Sequence, residues 1–302
     1  MVPPPTELYL VTGATGQIGR RVVHHLRQQG QRVRAWVRLG ANYQDLAAVG
    51  AELYFGDLTQ RDDIGAAISG VNHLISTHYD AKNLLNIHLK SNLYFIETAS
   101  KFGVKSFTYI SGLGVNQYAQ NAPLFAAKLA VETELLQSDL NYIILRPCLL
   151  NHYLLPWLDQ LRKTGSLILT GDGHLRHSWI SLDDLAKIAI QLTQYPPLWR
   201  QILPVGEPVP RSRWDLIHLY QKLTQSQPMI IPLPLPVLDG VRWGLQWLQQ
   251  TDDLGTLRTL FSQEFICSKP EIQQLQEQLS IQLESLEQFL RRYLGLADVN
   301  KP

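Results

Sequence analysis

The sequence predicts an α/β fold, a doubly wound parallel sheet with a smaller, mainly helical C-terminal lobe. Three observations predict it. Up to Pro147, short β-branched runs alternate with segments of helical periodicity. A glycine-rich turn stands between the first run and the first helix. After Pro147 the alternation stops, and from Arg211 helical patterns joined by proline-rich links dominate.

The elements follow in order. Leu8–Thr12 reads as a strand. Ile18, Val22, Val23 and Leu26 then recur at helical spacing until Gly30 stops them. Arg32–Val37 is a strand, Ala41–Val49 a short helix and Glu52–Gly56 a strand. Asp62–Ile68 is helical, His73–Ser76 a strand, and Asn83–Phe102 a longer helix ended by Gly103. Ser106–Ser111, Leu124–Gln137 and Tyr142–Arg146 complete the pattern as strand, helix and strand. Such alternation implies parallel pairing through right-handed crossovers. Beyond it, Asn151–Lys163 reads as helix, Ser166–Thr170 as strand, Gly171-Asp172-Gly173 as turn and Ile202–Val205 as strand. Between Glu271 and Leu294, Leu275, Leu279, Leu283, Leu286 and Leu290 share one face, as in one or two packing helices. The expected division is residues 1–150 for the sheet domain and 151–302 for the smaller lobe, part of which returns to the sheet.

Composition narrows the function classes. The 302 residues are 45% hydrophobic and 18% charged, enough for a full core. With 27 basic and 26 acidic side chains the net charge is +1, which argues against a whole-protein grip on nucleic acid. Two cysteines cannot build a disulfide framework or a cysteine zinc site. No secretory signal and no apolar run of spanning length is seen. His174 and His177 stand without a carboxylate or cysteine at ligand spacing, and adjacent His24 and His25 cannot face one ion, so no metal is expected. No Ser–His–Asp arrangement stands out.

The turn Gly13-Ala14-Thr15-Gly16-Gln17-Ile18-Gly19 carries the chemistry. Gly13 permits the tight turn, Gly16 admits a pyrophosphate to the backbone, and Gly19 lets the helix sit close to the sheet. The helix N-terminus offers N–H groups and partial positive charge to phosphates. This is a dinucleotide fingerprint in its required strand–turn–helix setting, and it makes the sheet Rossmann-type. An NAD site would put a carboxylate at the end of the second strand. Here that strand ends Val37-Arg38, and no Asp or Glu occurs from Leu8 to Gln44. NADP(H) is therefore expected, with Arg38 on the 2′-phosphate and Arg20 or Arg21 as helpers. Arg27 and Arg32 read as a solvated face.

With Gly56-Asp57-Leu58, Tyr109-Ile110-Ser111, Lys128, Leu145-Arg146-Pro147 and the segment from Gly171 to Asp184, residues 7–195 resemble the atypical extended short-chain dehydrogenase/reductases, NmrA-like branch. The second half, through Leu233-Pro234-Leu235-Pro236-Val237-Leu238 to Trp247 and Leu286–Leu290, is similar to a cyanobacterial and plastid subgroup associated with photosystem II assembly. The resemblance implies that Asp57 and Leu58 flank the adenine, Thr77 lies near the pyrophosphate or ribose, and Ser111 and Lys128 lie near the nicotinamide half. It implies Asp183 or Asp184 as a helix N-cap. It also implies a cytoplasmic or plastid-stromal compartment, with a place peripheral to the thylakoid membrane left open.

Typical members carry Tyr-x-x-x-Lys, whose tyrosine passes a proton to or from the substrate. Here Lys128 is present and Leu124 stands in the tyrosine position. Tyr118, Tyr109 and His78 are the nearby substitutes. Lys128 itself has three open readings: a ribose contact, a catalytic acid or base, or a surface partner of Glu132. Two functions compete: a nucleotide-dependent assembly or regulatory factor, and an NADPH-dependent reductase of a quinone, conjugated or carbonyl small molecule. The apolar stretch 229–250, with Trp243 and Trp247, reads first as core packing in the smaller lobe, with a surface for a protein partner or a peripheral membrane contact as the alternative.

Overall fold

The computed structural model describes residues 7–80, 83–237 and 254–296. The chain divides into two compact units: Met1–Ala119, Leu124–Arg146 and Leu182–Leu203 in the first, and Gln120–Pro123, Pro147–Ser181 and Pro204–Pro302 in the second.

In chain order the first unit begins with β1 (Leu8–Thr12), α1 (Gln17–Gln28), β2 (Arg32–Val37), α2 (Gln44–Ala48), β3 (Glu52–Phe55), α3 (Arg61–Ile68) and β4 (His73–Ser76). A π-helical segment, Leu84–Lys90, leads into α4 (Ser91–Lys101). β5 (Ser106–Ile110), α5 (Val115–Tyr118), α6 (Pro123–Gln137) and β6 (Tyr142–Pro147) follow. The second unit opens with β7 (Leu149–Leu150), α7 (Leu155–Thr164), β8 (Ser166–Thr170), β9 (Arg176–His177) and β10 (Trp179–Ile180). α8 (Leu182–Thr193) and β11 (Gln201–Val205) follow, and β11 joins the sheet of the first unit's strands. Then come β12 (Arg211–Ser212), α9 (Arg213–Thr224), β13 (Met229–Leu233), α10 (Leu254–Ser262), α11 (Lys269–Leu279) and α12 (Leu286–Leu294).

Seven strands form one sheet in the order β11-β6-β5-β4-β1-β2-β3. β1 pairs in parallel with both β2 and β4, Leu10 lying opposite Arg34 on one side and Leu74 on the other. The order thus reverses between β1 and β4, the switch point beyond whose strand C-termini sheets of this kind bind their ligands. β1 is buried throughout, as a central parallel strand must be. Leu10, Ile64, Leu74, Phe95, Phe107 and Leu135 belong to the core on one side of this sheet. In the second unit Leu158, Leu161, Leu167, Trp179, Leu216, Tyr220 and Phe289 make a separate core.

Several expectations are corrected. The helix expected over Ala41–Val49 is only Gln44–Ala48. The single helix expected from Asn83 is split, because His88 and Ser91 turn inward to bury their polar groups and the π segment accommodates them. Asp183 and Asp184 lie in the first turn of α8, not at its cap. The leucine face near the C-terminus keeps to the expected one or two helices: it is carried by two, with Leu283 between them and a break at Ser280, which adopts a left-handed φ of 51°. β13 was not expected; it contains Pro232, which an edge strand tolerates, and among the described residues β13 pairs only with β8.

Candidate functional site

The chain leaves β1 through Gly13 with φ at 67°, a conformation that favours glycine. A Cβ at Gly13 would lie 2.7 Å from backbone atoms of His78, just beyond β4. A Cβ at Gly19 would lie 2.3 Å from the Gly13 carbonyl oxygen and 2.7 Å from Thr77 Oγ1. Gly16 is less confined, 3.1 Å from the same oxygen, and its N–H closes the turn by donating to Gly13 at 2.8 Å. Thr77 pins the turn to β4: its hydroxyl donates to the Thr12 carbonyl at 2.8 Å.

α1 then starts without a side-chain cap and without an acidic residue in its first turn. Its leading N–H groups and partial positive charge are left for an anion. Ala14 is buried beneath the turn, Thr15 and Ile18 are half-buried, and Gly16 and Gln17 are exposed. A cradle that any Cβ would fill, beside an uncapped helix start, fits a dinucleotide pyrophosphate.

The arginines of this edge separate by their partners. Arg20 pairs with Asp45 and donates to the Asn42 carbonyl at 2.8 Å. Arg21 donates to the Gln17 carbonyl and lies 3.4 Å from Asp183. Arg34 is bonded to Glu52 at 2.7 Å. Arg27, read as solvated, instead donates to the carbonyls of Val49 and Gln31, a correction the sequence could not supply because both acceptors are backbone. Arg38, at the end of β2, keeps 78% of its side chain exposed, with Asp80 at 3.8 Å. Asp57 holds its own turn, accepting from the Thr59 N–H and hydroxyl at 2.9 Å, and Leu58 packs against the core.

Beneath the cradle runs a buried polar network. Asn92 Nδ2 donates to the His88 carbonyl at 2.6 Å and to His78 Nε2 at 3.0 Å, while Asn92 Oδ1 accepts from Ser76. His78 Nε2 also meets the Ser91 hydroxyl at 2.7 Å, and its Nδ1 lies 2.8 Å from the Thr12 hydroxyl. His88 Nδ1 lies 3.2 Å from the His78 carbonyl and must donate there. His88 Nε2 is left as the acceptor for the Tyr109 hydroxyl at 2.9 Å. Burial, helped by the Lys128 charge, pushes His78 down to about 3 and holds His88 well below the usual histidine range. Burial pushes the Tyr109 hydroxyl well up.

Lys128 lies over the Tyr109 ring at 5.6 Å. Its ammonium donates to the carbonyls of Ile110 at 2.8 Å and Ser111 at 3.1 Å. Burial pushes it down to about 8, against the pull of Glu132. Of the three readings of Lys128, the surface pair with Glu132 is not formed: Glu132 is buried, takes both arms of Arg146 at 3.0 and 2.6 Å, and accepts from the Ser111 hydroxyl at 2.5 Å. Arg146 is the stronger partner because its planar fork matches the carboxylate. Among the substitutes for the missing tyrosine, Tyr109 and His78 are sealed in the core, and Tyr118 is half-buried on α5. Leu124 stands one turn before Lys128 in α6 and offers no proton.

Sequence reasoning missed His88, Ser91 and Asn92, and it named Glu132 and Arg146 without their mutual pairing. For the first three the available signal was polar residues at positions that helical periodicity assigns to the inside. Among the described residues no cluster of His, Cys, Asp and Glu could hold a metal ion, and no helix is long and apolar enough to cross a membrane. Of the stretch 229–250, Met229 is 64% exposed and Val237 is exposed; Trp243 and Trp247 lie outside the described residues.

Comparison with known proteins gives three kinds of likeness. Residues 13–196 match the family described as NAD(P)H-binding. Over 96% of this chain and 95% of the other, the sequence is 27% identical to the photosystem II assembly factor Ycf39 of Trieres chinensis. It is 28% identical to the NAD(P)H azoreductase of Xenophilus azovorans over 67% and 68% of the two chains. The NADPH-dependent quinone oxidoreductase of Escherichia coli shares the fold, with a TM-score of 0.77 over 95% of this chain and 99% of that one at 19% identity.

Proposed function

The chain belongs to the NAD(P)H-binding family, and from that premise we propose that it is an NADP(H)-binding assembly or regulatory factor whose partner binding depends on the bound nucleotide. The observation that carries this reading is an intact dinucleotide cradle beside a position, Leu124, that has lost its proton donor. Likeness along nearly the whole chain to a photosystem II assembly factor supports a role in photosystem biogenesis.

In this reading Gly13 to Gly19 cradle the pyrophosphate and Thr77 keeps the turn in shape from below. Arg38 takes the 2′-phosphate, Asp57 and Leu58 flank the adenine, and Ser111 and Lys128 line the nicotinamide half. Residues 1–150 hold the nucleotide, and 151–302 supply the partner lobe, including the stretch 229–250. Work at the stromal or cytoplasmic face of a photosynthetic membrane follows from the same likeness. The test is a pull-down of purified photosystem II reaction-centre subunits by the tagged full chain, with NADPH, with NADP+ and without nucleotide. Capture that changes with nucleotide supports the reading; equal capture, or none, removes it.

A second reading, reduction of a quinone or conjugated acceptor, draws on Lys128. Bound NADPH would supply the hydride. An ammonium pushed down to about 8 is an adequate acid near neutral pH without a tyrosine. Turnover of NADPH with a quinone panel, abolished in Lys128→Met, would favour it.

A further inference from the structure

Buried polar atoms without a hydrogen-bond partner gather in the second unit: among the described residues, all but Gln31 Oε1 and Thr108 Oγ1 belong to it. Three of them are the side-chain nitrogens of Arg213, a residue only 3% exposed at the start of α9. Its guanidinium lies 5.9 Å from the Trp157 ring and 5.0 Å from the Phe261 ring. His177 Nδ1 and Trp179 Nε1, on rings 6.4 Å apart, are likewise unpaired. Burial, helped by the Arg213 charge and opposed by Glu264, pushes His177 down to about 4, so that ring is neutral at pH 7.

A guanidinium has five N–H donors, no acceptor, and does not release its proton. Native proteins rarely leave such a group buried and unbonded, because an uncompensated interior charge is strongly destabilising. Asp172 tempers the charge from nearby, but its Oδ1 accepts the His174 N–H, and it makes no hydrogen bond to Arg213. What Arg213 lacks is a hydrogen-bonded acceptor that carries negative charge. A carboxylate matches the planar fork. The Asp172 charge opposes a second negative charge, which favours a monoanion over a phosphate dianion. The aromatic faces beside the guanidinium suit a flat ring.

We propose that the second unit contains a binding site for a planar aromatic or conjugated monocarboxylate, with Arg213 taking the carboxylate and Trp157 and Phe261 packing on the ring. The unpaired atoms are shielded from solvent, so binding shifts an aromatic wall and changes tryptophan emission. The site does not depend on how the nucleotide is used.

The test uses the full chain, followed by thermal melting and tryptophan fluorescence. The probes are 2-naphthoate, its neutral carboxamide, and inorganic phosphate. 2-Naphthoate should raise the melting temperature by about 3–6 °C at saturation and change the emission, while the carboxamide and phosphate do neither. Arg213→Met should melt above the wild type without ligand, because it removes an unpaired charge, and should lose the naphthoate shift. No naphthoate shift in the wild type, or an equal shift with the carboxamide or phosphate, overturns the proposal. An Arg213→Met chain that melts lower or fails to fold also overturns it, because the guanidinium would then be structural support. The wild-type comparison of acid with amide stands whatever that variant does.

Discussion

The first unit buries histidines, serines, Asn92, Glu132 and Arg146, and gives them partners: Thr12 to His78, Asn92 to both histidines, Tyr109 to His88, and Arg146 and Ser111 to Glu132. The second unit buries Arg213, His177, Trp179 and Asn151 with atoms left unpaired. A satisfied network holds one geometry and needs nothing added. An unsatisfied one is high in energy until something completes it. The contrast separates a preformed cradle, whose role is to hold a nucleotide, from a region whose polar groups await an acceptor.

The comparison can be broken most severely at the cradle. Gly19→Ala places a Cβ 2.3 Å from the Gly13 carbonyl, so the turn must move. Nucleotide affinity should fall by on the order of 100-fold or more, since backbone N–H groups and the helix start lose their aim together. Titration calorimetry checks this; unchanged affinity would show that the turn does not hold the nucleotide.

Next comes the network itself. Glu132→Ala leaves the Arg146 guanidinium, 16% exposed, and the Ser111 hydroxyl without their acceptor. Breaking a buried pair from one side costs roughly 3–5 kcal/mol, read as a lower urea midpoint with unchanged slope. The opposite sign expected for Arg213→Met makes the two variants a matched test of satisfied against unsatisfied burial.

How far the sequence reached follows the same division. Strand–helix alternation and the glycine turn are local signals, so the sheet, the cradle and the edge arginine at 38 were legible. The His78–His88–Tyr109 chain joins residues from β1, the turn after β4, the π segment and β5, and no spacing along the chain encodes those meetings. The Lys128–Glu132 spacing allowed a surface pair as one of three readings; tertiary placement of Arg146 decided against it. The short ladders of β7, β9, β10 and β12 contain two residues each, too few for any period to mark. Arg213 reads in sequence as an ordinary first-turn residue.

Acid should weaken both units through their buried histidines. His78 is pushed down to about 3 and His177 to about 4, both from 6.5. Between pH 6.5 and those values the unfolded chain binds protons that the folded chain refuses, so stability falls as pH falls. The slope approaches about 1.4 kcal/mol per pH unit for each such histidine. Urea unfolding at pH 7, 6 and 5 reads it, and His177→Gln should flatten the second unit's share. A flat profile in the wild type would mean that neither ring is held neutral.

The smallest effect is expected at the rim. Arg38→Ala should weaken NADPH by about 10-fold, the worth of one charge-assisted phosphate contact, and NADH by less than twofold. Equal losses would remove the 2′-phosphate assignment and turn attention to Arg20 and Arg21, whose partners would have to release them.

The most direct measurement of the central claim is parallel titration calorimetry of the full chain with NADPH, NADP+ and NADH. A cradle built by Gly13, Gly16 and Gly19 with Arg38 at its edge predicts one site per chain, tighter for NADPH and NADP+ than for NADH. No binding of any of the three would contradict it, leaving the glycine turn as a tight βα connection that holds no ligand.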